Sequence, residues 1–332
     1  MAISIDDIKK LRAMTGAGLA DVKKALTEAE GDFDKAKELL RERGLAIAAK
    51  RSDRETSNGC VLVKCVDGFA AMIALKCETD FVANGADFIA LTQSILDAAI
   101  AAKAKDVEAV KELTLANGQK VQDAVTQRSG ITGEKMELDG YLTLEGENIE
   151  VYNHMGKNTL CTMVQTNKPA AEQGHLVAMQ VAAMKPVALD AQSIDPKILD
   201  EEYKTAVEKS KLEQVQKFVD MKLKKAGLNP NLVDSEDHIE SNMSKGWLTQ
   251  EQADEARKII ADAKVEGEAN LKMPMIEGIA KGCVEKFKKE NCLVDQEFQF
   301  GDGDKATVSQ WLAKQDKDLK IVAFQRFTLV AD

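Results

Sequence analysis

Few side chains in this sequence are placed for bond-breaking chemistry. The three histidines, His154, His175 and His238, lie far apart, and none stands beside a Ser or Cys in the strand-to-helix setting of a nucleophile elbow. The six cysteines, Cys60, Cys65, Cys77, Cys161, Cys283 and Cys292, contain no CxxC pair and no metal-ligand spacing. A thiol nucleophile needs a base or cationic surroundings. Cys77, the least poor candidate, is followed instead by the acidic turn Glu78-Thr79-Asp80. Gly16-Ala17-Gly18 is too short to cradle a phosphate and has no strand before it. The many carboxylate pairs fall on charged helical faces, where solvation explains them better than acid–base work. No catalytic set, metal or cofactor is expected, and the sequence does not read as an enzyme.

Thr79-Asp80-Phe81-Val82 differs in kind, because a large aromatic follows an acid where a strand gives way to a turn and a helix. Local pattern admits two placements for Phe81. It is either the first core residue beneath the helix that follows, or an exposed wedge that enters a partner with Asp80 beside it as a hydrogen-bond acceptor. Loops mounted on rigid scaffolds are where such contacts belong.

The elements that position this segment give the clearest β signal in the chain. Cys60–Val66 and Phe69–Cys77 flank Asp67-Gly68, a two-residue hairpin turn. After the Asn84-Gly85 turn comes a helix with Phe88, Leu91, Ile95 and Ala99 on one face, then a second helical stretch over Asp106–Gln127. The layout recurs: Tyr141–Leu144, Ile149–His154 and Thr159–Gln165 precede a helix from Ala170 to Met184 closed by Pro186. Strands then helix, twice, suggest a duplicated α+β unit.

Upstream, residues 4–44 read as three short helices. Ser4 caps the first over Ile5, Ile8 and Leu11; Thr15-Gly16-Ala17-Gly18 breaks it; Leu19, Val22 and Leu26 mark the second. Asp32 caps the third over Phe33, Ala36, Leu39 and Leu40, with Gly44 as its end. Three helices this short bury little surface, which suits a docking module. Lys50–Asn58 is polar and reads as a linker. Downstream, Asp195–Cys292 is almost wholly helical in pattern. Leu212, Val215, Phe218 or Val219, and Leu223 form one stripe; Ala253, Ala256, Ile260 and Ala263 form a second, after the Gly227–Pro230 break. This predicts an antiparallel helical hairpin inserted before strand signals return at Glu297–Phe300 and Ile321–Leu329.

Composition narrows the partners. The formal charge is −10 and spread along the chain, with no Lys/Arg-dense face. Nucleic acid, bound mainly through neutralised phosphates, is therefore not an expected partner, whereas a protein is. No stretch approaches the ~20 apolar residues of a membrane span. The N-terminus, MAISIDDIKKLRAM, lacks the pattern of a signal peptide. Cysteines set in apolar strand-like runs read as buried free thiols, so a reducing compartment, the cytoplasm, is expected.

Three motifs carry a family resemblance. Ile8-Lys9-Lys10-Leu11-Arg12, Thr15-Gly16-Ala17-Gly18-Leu19, Asp21 and Lys23-Lys24-Ala25-Leu26, with Gly31-Asp32 after them, resemble the N-terminal domain of the elongation factor Ts family. Cys77–Ala83 resembles its CxTDFVA signature, and Ala178–Pro186 resembles its AMHVAAxxP helix. The likeness covers residues 1 to about 200 well and 273–330 more loosely.

The resemblance implies a non-enzymatic guanine-nucleotide exchange factor that binds elongation factor Tu·GDP, displaces its magnesium and promotes GDP release in translation. The implied fold is α+β. Residues 1–50 form a ubiquitin-associated-like three-helix domain that docks on the GTPase, with a linker over 51–58. The first core subdomain spans 59–137 and the second 138–332, interrupted by a helical coiled-coil insertion at about 197–290. Implied contacts are Arg12, Leu19 and Ala20 in the N-terminal domain; Thr79, Asp80, Phe81 and Val82 beside the magnesium and phosphates; and Tyr152 and His154 on the GTPase's far domain. Elongation factor Tu is the expected partner, with a homodimer as an alternative assembly. The sequence departs from the family pattern in its longer helical insertion and in Thr132 ahead of Gly133-Glu134, where Ile is common. It also has only Val330-Ala331-Asp332 where many members carry a further helix. A docking or chaperone-like protein without exchange activity is the rival reading.

Overall fold

Side-chain caps start the first and third N-terminal helices, and a small shared core holds all three. The computed structural model describes residues 4–329 apart from Gly16, Ser52, Asp302 and Asp304, and apart from the side chains of 45 and 47–49. Gly16, part of the expected first break, and Val330-Ala331-Asp332 therefore lie outside the described residues. Ser4 Oγ accepts from the Asp7 amide (3.1 Å) ahead of α1 (Ile5–Thr15). After α2 (Leu19–Glu28), Asp32 Oδ1 accepts from the amides of Asp34 and Lys35 to start α3 (Phe33–Ala49). Leu11, Val22, Ala25, Leu26, Ala29 and Ala36 are buried together.

Gly44 does not end the third helix. It lies within α3, where the backbone passes against Gly130: a Cβ built on Gly130 would stand 2.5 Å from Gly44 Cα. A mid-helix glycine gives up helix propensity. The crossing excludes a side chain at Gly130, whereas a Cβ on Gly44 would meet Gly130 Cα at an ordinary 3.8 Å.

The core consists of two three-stranded antiparallel sheets of matching topology. β1 (Asn58–Val66) and β2 (Phe69–Cys77) form a hairpin whose Asp67 and Gly68 both have positive φ, 47° and 73°. The chain continues through α4 (Asp80–Ala83), α5 (Ala86–Ala102), α6 (Val107–Glu112) and α7 (Val121–Thr132). It returns as β3 (Met136–Glu145) beside β2. The second sheet repeats the plan. β4 (Ile149–Asn153) and β5 (Leu160–Thr166) form a hairpin, α8 (Ala171–Met184) follows, and β6 (Ile321–Thr328) returns beside β5.

Three expectations change at this level. Tyr141–Leu144, expected to open the second half, belongs to β3 and completes the first sheet, so the division expected between 137 and 138 falls inside a strand. The stretch Asp106–Gln127 is two helices, separated by a turn closed by the bridge of Thr114 with Lys120. Glu297–Phe300 contributes only an isolated bridge, Glu297 with Thr307.

The first sheet is covered on both faces, which explains why β2 is apolar almost throughout rather than alternating. Cys60, Leu62, Phe69, Ala71, Ile73 and Leu75 pack with Phe88, Ile95 and Ala99 of α5. The residues between them, Val61, Ala70, Met72 and Ala74, pack with Ile149, Cys161 and Met163 of the second sheet. This is the period-two division expected of strands. Gly140 marks the close approach of the sheets, since a Cβ there would lie 2.6 Å from the Phe327 ring. α8 covers β4 and β5.

Before β6 lies α13 (Val308–Gln315), capped by Thr307 and Gln310. The chain entering this segment is fixed to α8 by buried amides. Gln180 Nε2 donates to the Glu297 carbonyl (3.1 Å), Gln180 Oε1 accepts from the Gln299 amide (3.0 Å), and Gln296 Nε2 donates to the Met184 carbonyl (3.1 Å).

Residues Asp190–Asp295 form a separate compact unit. It contains α9 (Pro196–Lys225), α10 (Glu236–Ser244), α11 (Gln250–Ala269) and α12 (Met273–Asn291). Asp195 caps α9 through the Lys197 amide (2.9 Å), with Pro196 at the first turn where no amide is needed. α9 packs along both α11 and α12, so the unit is more than the expected two-helix hairpin. Val219, Leu223, Val233, Ile239, Ala253 and Ala256 are among its core residues. Leu212, expected in the same stripe, is 71% exposed. Gly267 of α11 abuts Val215, and α11 stops at Ala269 before it could cover the next turn of α9. No helix among the described residues is long and apolar enough to cross a membrane.

Candidate functional site

The segment singled out in the sequence is a one-turn helix mounted on the end of β2. Thr79, with extended backbone, is the N-cap of α4, and its Oγ1 accepts from the Val82 amide at 3.4 Å. At the other end, Asn84 Nδ2 donates to the Asp80 carbonyl at 2.8 Å. Ala83 is buried and Val82 packs against the core beneath α5. Phe81 does the opposite: its residue surface is 87% exposed. Of its two placements, the core position is excluded and the outward one is realised. Burying a Phe side chain is worth about 1.5–3 kcal/mol. A ring held in water on a well-anchored turn is therefore a contact in waiting. Asp80 beside it is exposed as well.

The base of the turn is held by residues from another part of the chain. Thr79 Oγ1 donates to Glu134 Oε1 at 2.6 Å, and the Thr79 amide donates to Glu134 Oε2 at 3.1 Å. One residue along, the relation is reversed: Glu78 Oε1 accepts from the Lys135 amide at 2.6 Å. Arg54 Nη1 adds a bond to Glu78 Oε2 at 2.9 Å, and Asn58 Nδ2 donates to the Glu78 carbonyl at 2.9 Å. The Lys135 amide, and then Arg54, hold the Glu78 carboxyl below its usual range. None of these partners was visible in the sequence, because they lie 20–57 positions away from Glu78 and Thr79. Only the return of β3 beside β2 brings them together.

Cys77, directly before the turn, is fully buried with Sγ 3.2 Å from the Thr79 carbonyl oxygen. Burial, with the nearby Glu134 charge adding to it, pushes its thiol up to about 12. Burial does the same to Cys60 (about 11) and Cys161 (about 12). Thiols so poor in thiolate do not serve as nucleophiles at neutral pH.

The second expected contact forms a ring cluster at the end of β4. The Tyr152 hydroxyl and His154 Nδ1 are 3.2 Å apart, and the Tyr152 ring meets the rings of His154 and His175 edge-on at 5.8 and 5.4 Å. His175 comes from α8 and was missed in the sequence, where the histidines stand apart. Beyond them Met155, 70% exposed with φ of 53°, ends the hairpin.

The third group lies on the N-terminal helices. Arg12 near the end of α1 and Leu19 and Ala20 at the start of α2 are all exposed, and Leu19 is 58% so. Met14, not anticipated, is exposed in the same region. A cavity of about 290 Å3 lies where these helices meet α7, lined by Thr15, Asp21, Lys24, Leu40, Arg43 and Gln127 among others; none of its lining residues belongs to the Phe81 turn.

No group of three or more metal-ligating side chains occurs among the described residues. The three patches share a character: exposed apolar or aromatic side chains on anchored backbone. Such an arrangement is suited to contact with another macromolecule.

Comparison with known proteins agrees with this character. A family model described as Elongation factor TS matches residues 78–331. The chain is 57% identical over its whole length to the elongation factor Ts of Bacteroides fragilis and 56% identical to that of Phocaeicola vulgatus, in each case covering the whole relative. It is 41% identical, again end to end, to the elongation factor Ts of Porphyromonas gingivalis.

Proposed function

The chain belongs to the elongation factor Ts family, the guanine-nucleotide exchange factors of elongation factor Tu in translation elongation, and from that premise we propose that Phe81 is the wedge with which it opens the GTPase's nucleotide site. The observation that carries this reading is the 87% exposure of Phe81 on a turn whose N-cap Thr79 is hydrogen-bonded to Glu134 and whose Asn84 closes back on Asp80.

The physical argument concerns differential binding. Magnesium bridging the nucleotide phosphates contributes much of GDP's hold on a GTPase, so displacing the elements around the ion weakens ion and nucleotide together. Linkage makes the effect reciprocal: GDP lowers affinity for the exchange factor as much as the factor lowers affinity for GDP. Inverting a 1:99 equilibrium takes about 5.5 kcal/mol of differential affinity. One buried Phe supplies about 1.5–3 kcal/mol. Phe81 therefore works with help. Arg12, Leu19 and Ala20 grip the nucleotide-binding domain of elongation factor Tu, Tyr152 and His154 hold its far domain, and Asp80 accompanies the ring into the site. Thr79 and Val82 fix the wedge to its base.

The protein makes and breaks no covalent bond in this scheme. It acts in the cytoplasm, where its free thiols suit a reducing environment. The decisive experiment is release of a fluorescent GDP from elongation factor Tu. Acceleration by the wild-type chain, lost in Phe81→Ala while the complex still forms, supports the wedge. Binding without acceleration by the wild type would make it a docking protein.

A further inference from the structure

We infer that Glu134 is the positioning residue of the Phe81 wedge, and that one turn of α7 sets both the wedge and the seat of the N-terminal helices. The inference rests on the exchange reading above and concerns residues which that reading leaves without a role.

The Thr79 hydroxyl has a single proton, and at 2.6 Å from Glu134 Oε1 that proton is committed to the carboxylate. The lone pairs are thereby turned toward the Val82 amide, the bond that caps α4. The second carboxylate oxygen takes the Thr79 amide. Glu134 thus fixes both the backbone and the hydroxyl rotor of the residue two positions before Phe81. A four-residue helix cannot hold itself, since nucleation dominates at that length. Its orientation comes from what it is tied to: Val82 and Ala83 pack into the core, and the N-cap residue Thr79 is tied to Glu134. The mirrored bond, Lys135 amide to Glu78 carboxylate, stitches the two chain segments together at the next residue.

Glu134 is itself fixed. It follows Gly133, whose φ of 74° ends α7, and Ser129 Oγ donates to its carbonyl oxygen at 2.6 Å. One residue after Ser129 comes Gly130, the point where α3 crosses α7 with the backbones in contact. Residues 129–134 therefore receive the N-terminal helices on one side and the wedge turn on the other. A partner that grips α1 and α2 loads the same short segment that aims Phe81.

A positioning role separates rate from affinity. The test measures fluorescent-GDP release from elongation factor Tu over a range of exchange-factor concentrations, giving a saturating release rate and a half-saturating concentration. Glu134→Ala should lower the saturating rate about tenfold, the fold-change carried by a charge-assisted hydrogen bond, with the half-saturating concentration within twofold. Thr79→Val should reproduce this loss, and Thr79→Ser should recover most of it. Adding Glu134→Ala to Phe81→Ala should cost nothing further. Thermal unfolding establishes that each variant is folded; if Glu134→Ala is not, the Thr79 pair carries the test alone. A normal saturating rate in Glu134→Ala or Thr79→Val, with Phe81→Ala slow, overturns the positioning role and leaves the wedge standing. A loss confined to the half-saturating concentration makes Glu134 a direct contact and also overturns it. A normal rate in Phe81→Ala overturns the wedge itself, and this inference with it.

Discussion

The two halves of the sheet core have one topology and place their exposed features at opposite ends. In the first, the β1–β2 hairpin turn is a tight Asp67-Gly68 pair, and the exposed side chain, Phe81, follows the far end of β2. In the second, the exposed residue Met155 and the Tyr152–His154 pair occupy the hairpin between β4 and β5. The anchoring differs as well. The Phe81 turn is stitched by carboxylate–amide bonds to a distant segment, whereas Tyr152 is held by edge-on ring contacts with two histidines. A wedge must keep its angle under load, and charge-assisted hydrogen bonds provide directional restraint. A gripping surface needs area more than angle, and a cluster of rings in edge-on contact provides that. On the proposed reading, similar scaffolds are fitted for prying in one half and for holding in the other.

That contrast can be broken in several ways. If the halves share an inert interior and differ only at their rims, Cys60, Cys77 and Cys161 should be equally unreactive. At pH 8 the native protein should alkylate at these thiols hundreds- to thousands-fold more slowly than a free cysteine of pKa ≈ 8.5, as read by mass spectrometry. Fast labelling of Cys77 alone would reopen a chemical role for the first half. Phe81→Ala should cut the saturating GDP release rate by about 10- to 150-fold, the equivalent of burying one Phe, and leave complex formation nearly unchanged. Tyr152→Phe removes the hydroxyl beside His154 and should do the reverse. It weakens the complex by about two- to tenfold, one ordinary hydrogen bond, with the saturating rate preserved, as isothermal titration and stopped-flow together would report. If either variant showed the other's signature, the division of labour would fail.

Two smaller effects sharpen the comparison. Gly130→Ala puts a methyl into the Gly44 backbone and should destabilise the seating of α3 by about 1–3 kcal/mol. Hydrogen exchange should then quicken in α1–α3 and stay unchanged in β4–β6. The least effect concerns pH. Glu78 has a folded pKa below 4.5 because the Lys135 amide, Arg54 and Arg51 favour its charged form. Its contribution is therefore present above the unfolded value and lost as pH falls through the lower folded one. Glu78→Gln should flatten this part of the acid-side fall in melting temperature and leave the neutral range almost untouched.

Much of this architecture was legible in the sequence, because it is written in local chemistry. Asp67-Gly68 specified the hairpin, and Ser4, Asp32 and Asp195 specified helix starts. The apolar runs either side of Asp67 marked two strands, and the structure adds that their sheet is covered on both faces. What could not be read was non-local. Tyr141–Leu144 is followed closely by Glu147-Asn148 and another strand, which is how a hairpin looks; only the pairing of Phe69 with Glu145 shows that β3 belongs to the first sheet. Gly44 has the look of a helix end, and its real partner is 86 residues away. Phe81 itself was undecided, since the same tetrapeptide pattern serves a core or a surface. Its exposure depends on Val82 and Ala83 taking the inward positions of α4. Glu134 gave no signal at all, for a lone carboxylate after a helix-ending glycine is ordinary until its two hydrogen bonds are seen.

The buried glutamines that join α8 to the returning chain have a bearing on the segment between them. Gln180 and Gln296 clasp the returning chain to the helix it left, ahead of α13 and the closing strand β6. Whatever lies between residues 190 and 295 is, mechanically, a detour whose two ends are already pinned. The entropy of closing such a detour grows only with the logarithm of its length. A segment there can lengthen or shorten at little entropic cost to the sheets that precede and follow it.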